Sequence, residues 1–167
     1  MDSNLSLDIG FKGQLKLNAQ AVPMQEGYLK LGGVTDPDGS NIPFGVVVSA
    51  DPLTPNMFEL GAASGNVVRG VTVFDDAIAQ NSPAHPGEYL AGFPCAAIAH
   101  GFFYLASWTK TGSDIDPVIG CQVVYNTTTG AIEFLAAGAS AGSGFAVLSN
   151  AKVVDVNADN GALVYLA

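Results

Sequence analysis

Apolar residues in this chain come in short runs of four to eight positions, rich in Val, Ile, Phe and Tyr and closed by Gly, Pro, Asn or Asp. Runs of that length between turn residues are strand signals. They predict strands over 13–18, 44–50, 67–74, 93–99, 101–108, 121–126, 131–136, 144–149, 151–156 and 162–166. No window carries the 3.6-residue period of an amphipathic helix. Two segments, "IPFGVVVSADP" (42–52) and "VRGVTVFDD" (68–76), share one plan: a glycine, a run of mostly β-branched residues, then an acidic turn. The glycine lets the chain turn sharply into the strand, and the β-branched residues pack stiffly on a pleated surface. Strands at this spacing predict an all-β protein, a single β-sandwich or partly closed β-barrel with an extended N-terminal arm. Its expected core includes Val46, Val48, Val71, Val73, Phe103, Val124, Phe134 and Val147.

Residues 1–40 read differently from the domain expected over 41–167. The stretch "SLDIGFKGQLKLNAQAVPMQEGYLKLGGVTDPDGSN" alternates polar and apolar residues weakly, carries several glycines and ends in a turn cluster. It suits either an edge strand or an arm that finds its hydrogen bonds on another subunit. Phe11, Leu15, Leu17, Val22, Met24 and Tyr28 are more apolar side chains than a solvated tail carries, so they are expected at a subunit or capsid interface. The longest connections are 75–92 and 107–120, and "TTTG" (127–130) reads as a turn between two strands.

Composition narrows the function. With 167 residues, 49% of them hydrophobic, the chain can bury one sizeable core. Acidic residues outnumber basic ones by 15 to 6, for a net charge of −9. The six basic residues, Lys12, Lys16, Lys30, Arg69, Lys110 and Lys152, form no cluster, which argues against a nucleic-acid partner. The most apolar stretch, "CAAIAHGFFYLASW" (95–108), is broken by His100 and Gly101 and is too short to span a bilayer, so no membrane partner is expected. The N-terminus lacks the basic and apolar regions of a signal peptide. Cys95 and Cys121 sit among small or apolar neighbours and are expected as reduced core thiols.

Reactive motifs fail on context. "GASAG" (138–142) has the letters of a nucleophile elbow around Ser140, but a glycine-rich, strand-like segment follows it and no histidine lies beyond His100. His85 lies in a proline-rich loop and His100 at a strand end, and they have no third partner for catalysis or metal binding. "DVNADNG" (155–161) and "DPDGSN" (36–41) imitate calcium loops, yet Asn160 stands in place of the sharp-turn glycine and Leu166 and Val47 in place of the closing glutamate. Both read as turns in which Asx side chains bond their own backbone. Glu88, Glu133 and the Asp75–Asp76 pair are available for carbohydrate chemistry but read as surface-turn residues. No catalytic, metal or cofactor site is expected, and a scaffold or binding module is favoured over an enzyme.

Against that background, "IPFGVVVS", "VVRGVTVFDD", "GEYLAGFPCAAIAHGFFYLAS", "PVIGCQVVYNTTTGAI" and "SNAKVVDVNADNGALVYLA" occur in an order that resembles the capsid cement, or decoration, proteins of tailed bacteriophages. The matching positions are Pro43 and Gly45; Gly70 and Val71; Gly92, Pro94 and Gly101; and Gly120, Val124 and Tyr125. The likeness covers about residues 42–167, and Gly45, Gly70, Gly101 and Gly120 become its structural turn glycines. It departs in the longer N-terminal region and in "CAAIAHG", where the family more often has a valine-rich run before an arginine. The resemblance implies a non-enzymatic virion protein, made in the host cytoplasm, that binds the outer surface of the major capsid protein shell. It also implies a homo-oligomer, a dimer or trimer, without cofactors. Binding only the assembled shell stabilises it by mass action, about 2.7 kcal/mol at a hundredfold excess over the dissociation constant. Several contacts at once add avidity. The rivals are a fibre or baseplate component and a β-sandwich binding module; the fixed-period repeat of long fibres is missing.

Overall fold

The computed structural model describes residues 21–23, 29–74, 87–105, 115–156 and 161–167. Among them there is no helix, and the strands are β1 (Ala21–Pro23), β2 (Leu29–Thr35), β3 (Ile42–Pro43), β4 (Val47–Ala50), β5 (Met57–Leu60), β6 (Val67–Thr72), β7 (Glu88–Tyr89), β8 (Pro94–Leu105), β9 (Gln122–Asn126), β10 (Ile132–Leu135), β11 (Phe145–Val147), β12 (Ala151–Val156) and β13 (Ala162–Leu166). The run predicted over 13–18 lies outside the described residues.

Strands β8, β2, β5, β4 and β6 pair in that order, and β6 pairs back onto β8, so five strands close into a barrel. Among the described residues only β2–β5 is parallel. Directly opposed residues share a sheet face. The register therefore places Leu31, Gly33, Thr35, Val48, Phe58, Gly70, Cys95 and Ala97 on the inside. Lys30, Gly32 and Val34 on the opposite face of β2 are exposed. So narrow a ring needs small residues: a Cβ on Gly33 would lie 2.8 Å from the Phe58 ring, and one on Gly70 would lie 2.1 Å from the Ile98 carbonyl oxygen. The short β3–β7 pair adds Ile42 and Tyr89 to the same core, where the Tyr89 hydroxyl donates to the Val73 carbonyl at 2.7 Å.

The outer face of the barrel at Val47, Val71 and Ile98 is covered by a second core. There the sheet β10–β9–β11 packs Val123, Tyr125, Ile132 and Phe134 against Phe103 and Leu105 of β8, Val164 and Leu166 of β13, and Val153 of β12. β8 joins the two halves. Its first half pairs with β2 and β6, its second with β13 and β1. The pattern "HG" suggested a break and two strands, but the strand is continuous. Gly101 takes φ 111, and the register with β2 shifts between Leu29 and Lys30, so β8 bends while changing partners.

Seven of the eight expected core residues are buried. Val147 is the exception, at 43% exposure. β11 is a three-residue edge strand paired only with β9, and its period of two turns Ala146 rather than Val147 toward the core. The pattern also missed β2 and β5. Two adjacent glycines interrupt the apolar run of "LKLGGVT", and "MFEL" is only four residues long.

Candidate interaction surface

Among the described residues the reactive side chains named by the sequence lie on separate elements. Ser140 is exposed in the loop between β10 and β11, with strand rather than helix on either side, so no elbow forms. His100 is exposed on β8 with its ring edge-on to Tyr165 at 5.7 Å. His85 lies outside the described residues, as do Asp75 and Asp76. Among the described residues no three His, Cys, Asp or Glu side chains come together as a metal-binding group. Glu133 corrects the expectation of a surface turn: it is a strand residue of β10 opposite Val124 and is only 3% exposed. Glu88 lies in β7 and accepts from the Asn41 amide at 3.1 Å.

The acidic turn at Asp36 has the expected local chemistry, because its carboxylate accepts the Asp38 amide at 3.0 Å. Asp155 accepts the Val156 amide at 2.9 Å from within β12, and residues 157–160 of the second expected turn lie outside the described residues. Cys95 and Cys121 are both free and buried. Burial pushes the Cys95 thiol up to about 12 and also raises Cys121, the latter opposed by backbone hydrogen bonds. Such thiols pack rather than react.

What remains for function is surface. Of the residues expected at an interface, Phe11, Leu15, Leu17, Met24 and Tyr28 lie outside the described residues. Val22 lies in β1, where its backbone is opposite Tyr104. Gly45, Gly70, Gly101 and Gly120 all have positive φ, between 82 and 145 degrees. At Gly70 the missing side chain admits a neighbouring strand at the barrel seam, whereas a Cβ on Gly120 would meet open space.

Two exposed apolar features escaped the pattern. Leu53 is 91% exposed at the tip of the β4–β5 connection. Its turn is preformed, since Asp51 accepts the Leu53 amide on its carboxylate at 2.7 Å and the Thr54 amide on its carbonyl at 3.0 Å. The flanking prolines of "DPLTP" were the available signal. The second feature is the outer face of β8–β13–β12. There the Phe102 ring packs tilted against Tyr165 with centroids 4.7 Å apart, Lys152 lies opposite Tyr165, and Val154 is exposed. Leu29, opposite His100, extends it. The alternation of "HGFFYL" carried that signal, because alternate residues of one strand face outward.

Comparison with known proteins bears on what such a surface serves. Residues 2–167 match a family model described as "Structural cement protein (E217 gp24/Pam3 gp6)". Curated proteins give no match. A chain of the solved structure "The capsid of Myoviridae Phage XM1" shares the fold, with TM-score 0.58 and 16% identity over 86% of this chain and 86% of that chain.

Proposed function

Since the chain belongs to the structural cement protein family of phages, over residues 2–167, we propose that it binds the outer surface of the major capsid protein shell as a homo-oligomer and stabilises that shell without catalysing a reaction. The family match carries this reading. Supporting it, the fold supplies two packed cores, while apolar groups such as Leu53 and Phe102 stay on the surface. A turn ordered before binding loses little entropy when it docks. The net charge of −9 suits an outer face, away from packaged DNA. Phe11, Leu15, Leu17, Val22, Met24 and Tyr28 form the contact to a neighbouring subunit or to the capsid.

The test is co-sedimentation of the purified chain with capsids assembled without it, followed by heating. The chain is expected to pellet with the capsids in a saturable ratio and to raise their disruption temperature. A chain that stays in the supernatant, or binds without changing that temperature, overturns the reading.

A further inference from the structure

The sheet formed by β12, β13 and the second half of β8 has one face in the second core and one face open. β13 alternates strictly, with Ala162, Val164 and Leu166 buried and Leu163 and Tyr165 only partly so. An antiparallel sheet that faces water on one side carries polar residues there. Here the open face is largely apolar. The register groups Phe102, Tyr165 and Lys152 in one row, sets Leu163 opposite Asp155, and leaves Val154 as the extra residue of a bulge in β12. Tyr165 lies against two rings, Phe102 at 4.7 Å and His100 at 5.7 Å, so the aromatic group is ordered before anything binds. Leu29, opposite His100, is 54% exposed. At the far edge the Gly120 amide donates to the Val153 carbonyl at 3.4 Å, which sets the turn carrying exposed Val118 and Ile119 beside β12. Thus Leu29, Phe102, Val118, Ile119 and Val154, half of the ten large apolar side chains exposed among the described residues, lie on or beside one face, and an exposed patch of that kind marks an interaction site. Charge indicates what covers it. Two copies at −9 each repel, so they join at least cost where the surface is neutral. Lys152 and Asp155 are the only Lys, Arg, Asp or Glu in the three strands, and they cancel.

We propose that this face packs against the same face of a second copy, about a two-fold axis that crosses the strands at Val154. The inference rests on the self-association part of the proposed function and specifies it as a dimer joined through described strands. Lys152 and Asp155 flank Val154 on β12, and their opposite residues on β13 are Tyr165 and Leu163. One axis between the two rows therefore serves both strands. Lys152 of each copy meets Asp155 of the other, Tyr165 meets Leu163, and Val154 meets itself. The charges are self-complementary, as an isologous interface requires, and each off-axis contact occurs twice. The two sheets lie face to face with their strands antiparallel, in the aligned packing of a β-sandwich. The ordered aromatic group supplies the kind of anchor that dominates binding at such interfaces, at little cost in side-chain entropy.

The test uses the full chain without capsids, so that loss of shell binding and loss of pairing are read separately. Light scattering is expected to give twice the 17.1 kDa chain mass. Lys152→Glu and Asp155→Lys should each weaken the dimer about tenfold or more, because like charges then face each other twice. The double variant should recover it, because the charges are exchanged and opposed again. Val154→Asp should weaken it as much, since it sets two carboxylates together on the axis. All three positions are exposed, so the fold does not depend on them. A bismaleimide spanning roughly the 10 Å between packed sheets should link Val154→Cys to its copy and should not link Leu53→Cys, which is exposed at the β4–β5 connection away from this face. The native thiols are buried and leave the assay clean. A monomer mass, as expected if the face instead docks on the capsid, a trimer mass, linkage at Leu53→Cys instead of Val154→Cys, or no recovery in the double variant overturns the proposal.

Discussion

Gly70→Ala attacks the seam where the barrel closes. β6 returns to β8 through only two opposed pairs, Val71–Ile98 and Thr72–Ala97. A Cβ at Gly70 would lie 2.1 Å from the Ile98 oxygen and 2.7 Å from its carbonyl carbon. Those are backbone atoms, so relief requires β6 to move away from β8 by about 1 Å, which weakens one or two ladder hydrogen bonds at about 1 kcal/mol each. The backbone adds a second cost, because φ 145 is strained for any side chain, at about 1–3 kcal/mol. The total is about 2–5 kcal/mol. Gly65→Ala is the control: its φ is 92, but nothing lies within 4 Å of the added carbon, so only the backbone cost applies. Urea unfolding of the two variants and the parent gives the comparison, with slopes checked for equality. We expect Gly70→Ala to be less stable than Gly65→Ala by about 2 kcal/mol, or roughly 4–8 °C in Tm for a chain of this size. Equal losses, within about 0.5 kcal/mol, would refute the seam as a point of close backbone approach.

Other outcomes follow from the same packing. Phe134→Ala should cost about 3–5 kcal/mol in urea unfolding, since the ring is fully buried between the sheets, whereas Val147→Thr should stay within about 0.5 kcal/mol. Thr72→Val should cost about 1–3 kcal/mol, because the Thr72 hydroxyl donates to the Pro43 carbonyl at 2.7 Å and accepts the Val46 amide at 3.1 Å, and both partners would be left buried and unpaired. Cys95 sets a pH dependence. Its folded thiol keeps its proton up to about pH 12, from an ordinary value of about 9, so the unfolded chain binds fewer protons between those limits and stability falls as pH rises through them. Cys95→Ala should show a shallower fall above pH 9 than the parent; equal slopes would contradict the assignment.

The legible parts of the fold were those in which one face or both faces of a strand are apolar. β12 and β13 were predicted to the residue, and β6, β9 and β10 to within two, because turn residues bound their β-branched runs. β2 was illegible for a tertiary reason: Gly33 is small because the Phe58 ring, distant in sequence, fills its space. β5 is short and takes its parallel partner from β2, a pairing no local pattern announces. Gly101 read as a strand break, whereas it bends one strand between two sheets. Val147 shows the limit of hydrophobicity as a burial signal at a sheet edge. On the surface, the failure of an elbow at Ser140 was readable from the strand-like segment that follows it, and the turn at Leu53 from its flanking prolines, but the exposure of Leu53 was not, since it depends on how the Asp51 carboxylate fixes that turn.

The central claim, that this barrel cements the outside of a capsid, is tested most directly by cryo-electron microscopy of particles carrying the chain. Density matching the five-stranded barrel and its second sheet should lie outside the shell, in contact with more than one capsid subunit. Particles with that density inside the shell, confined to the tail, or absent while the chain is present in the sample would contradict it.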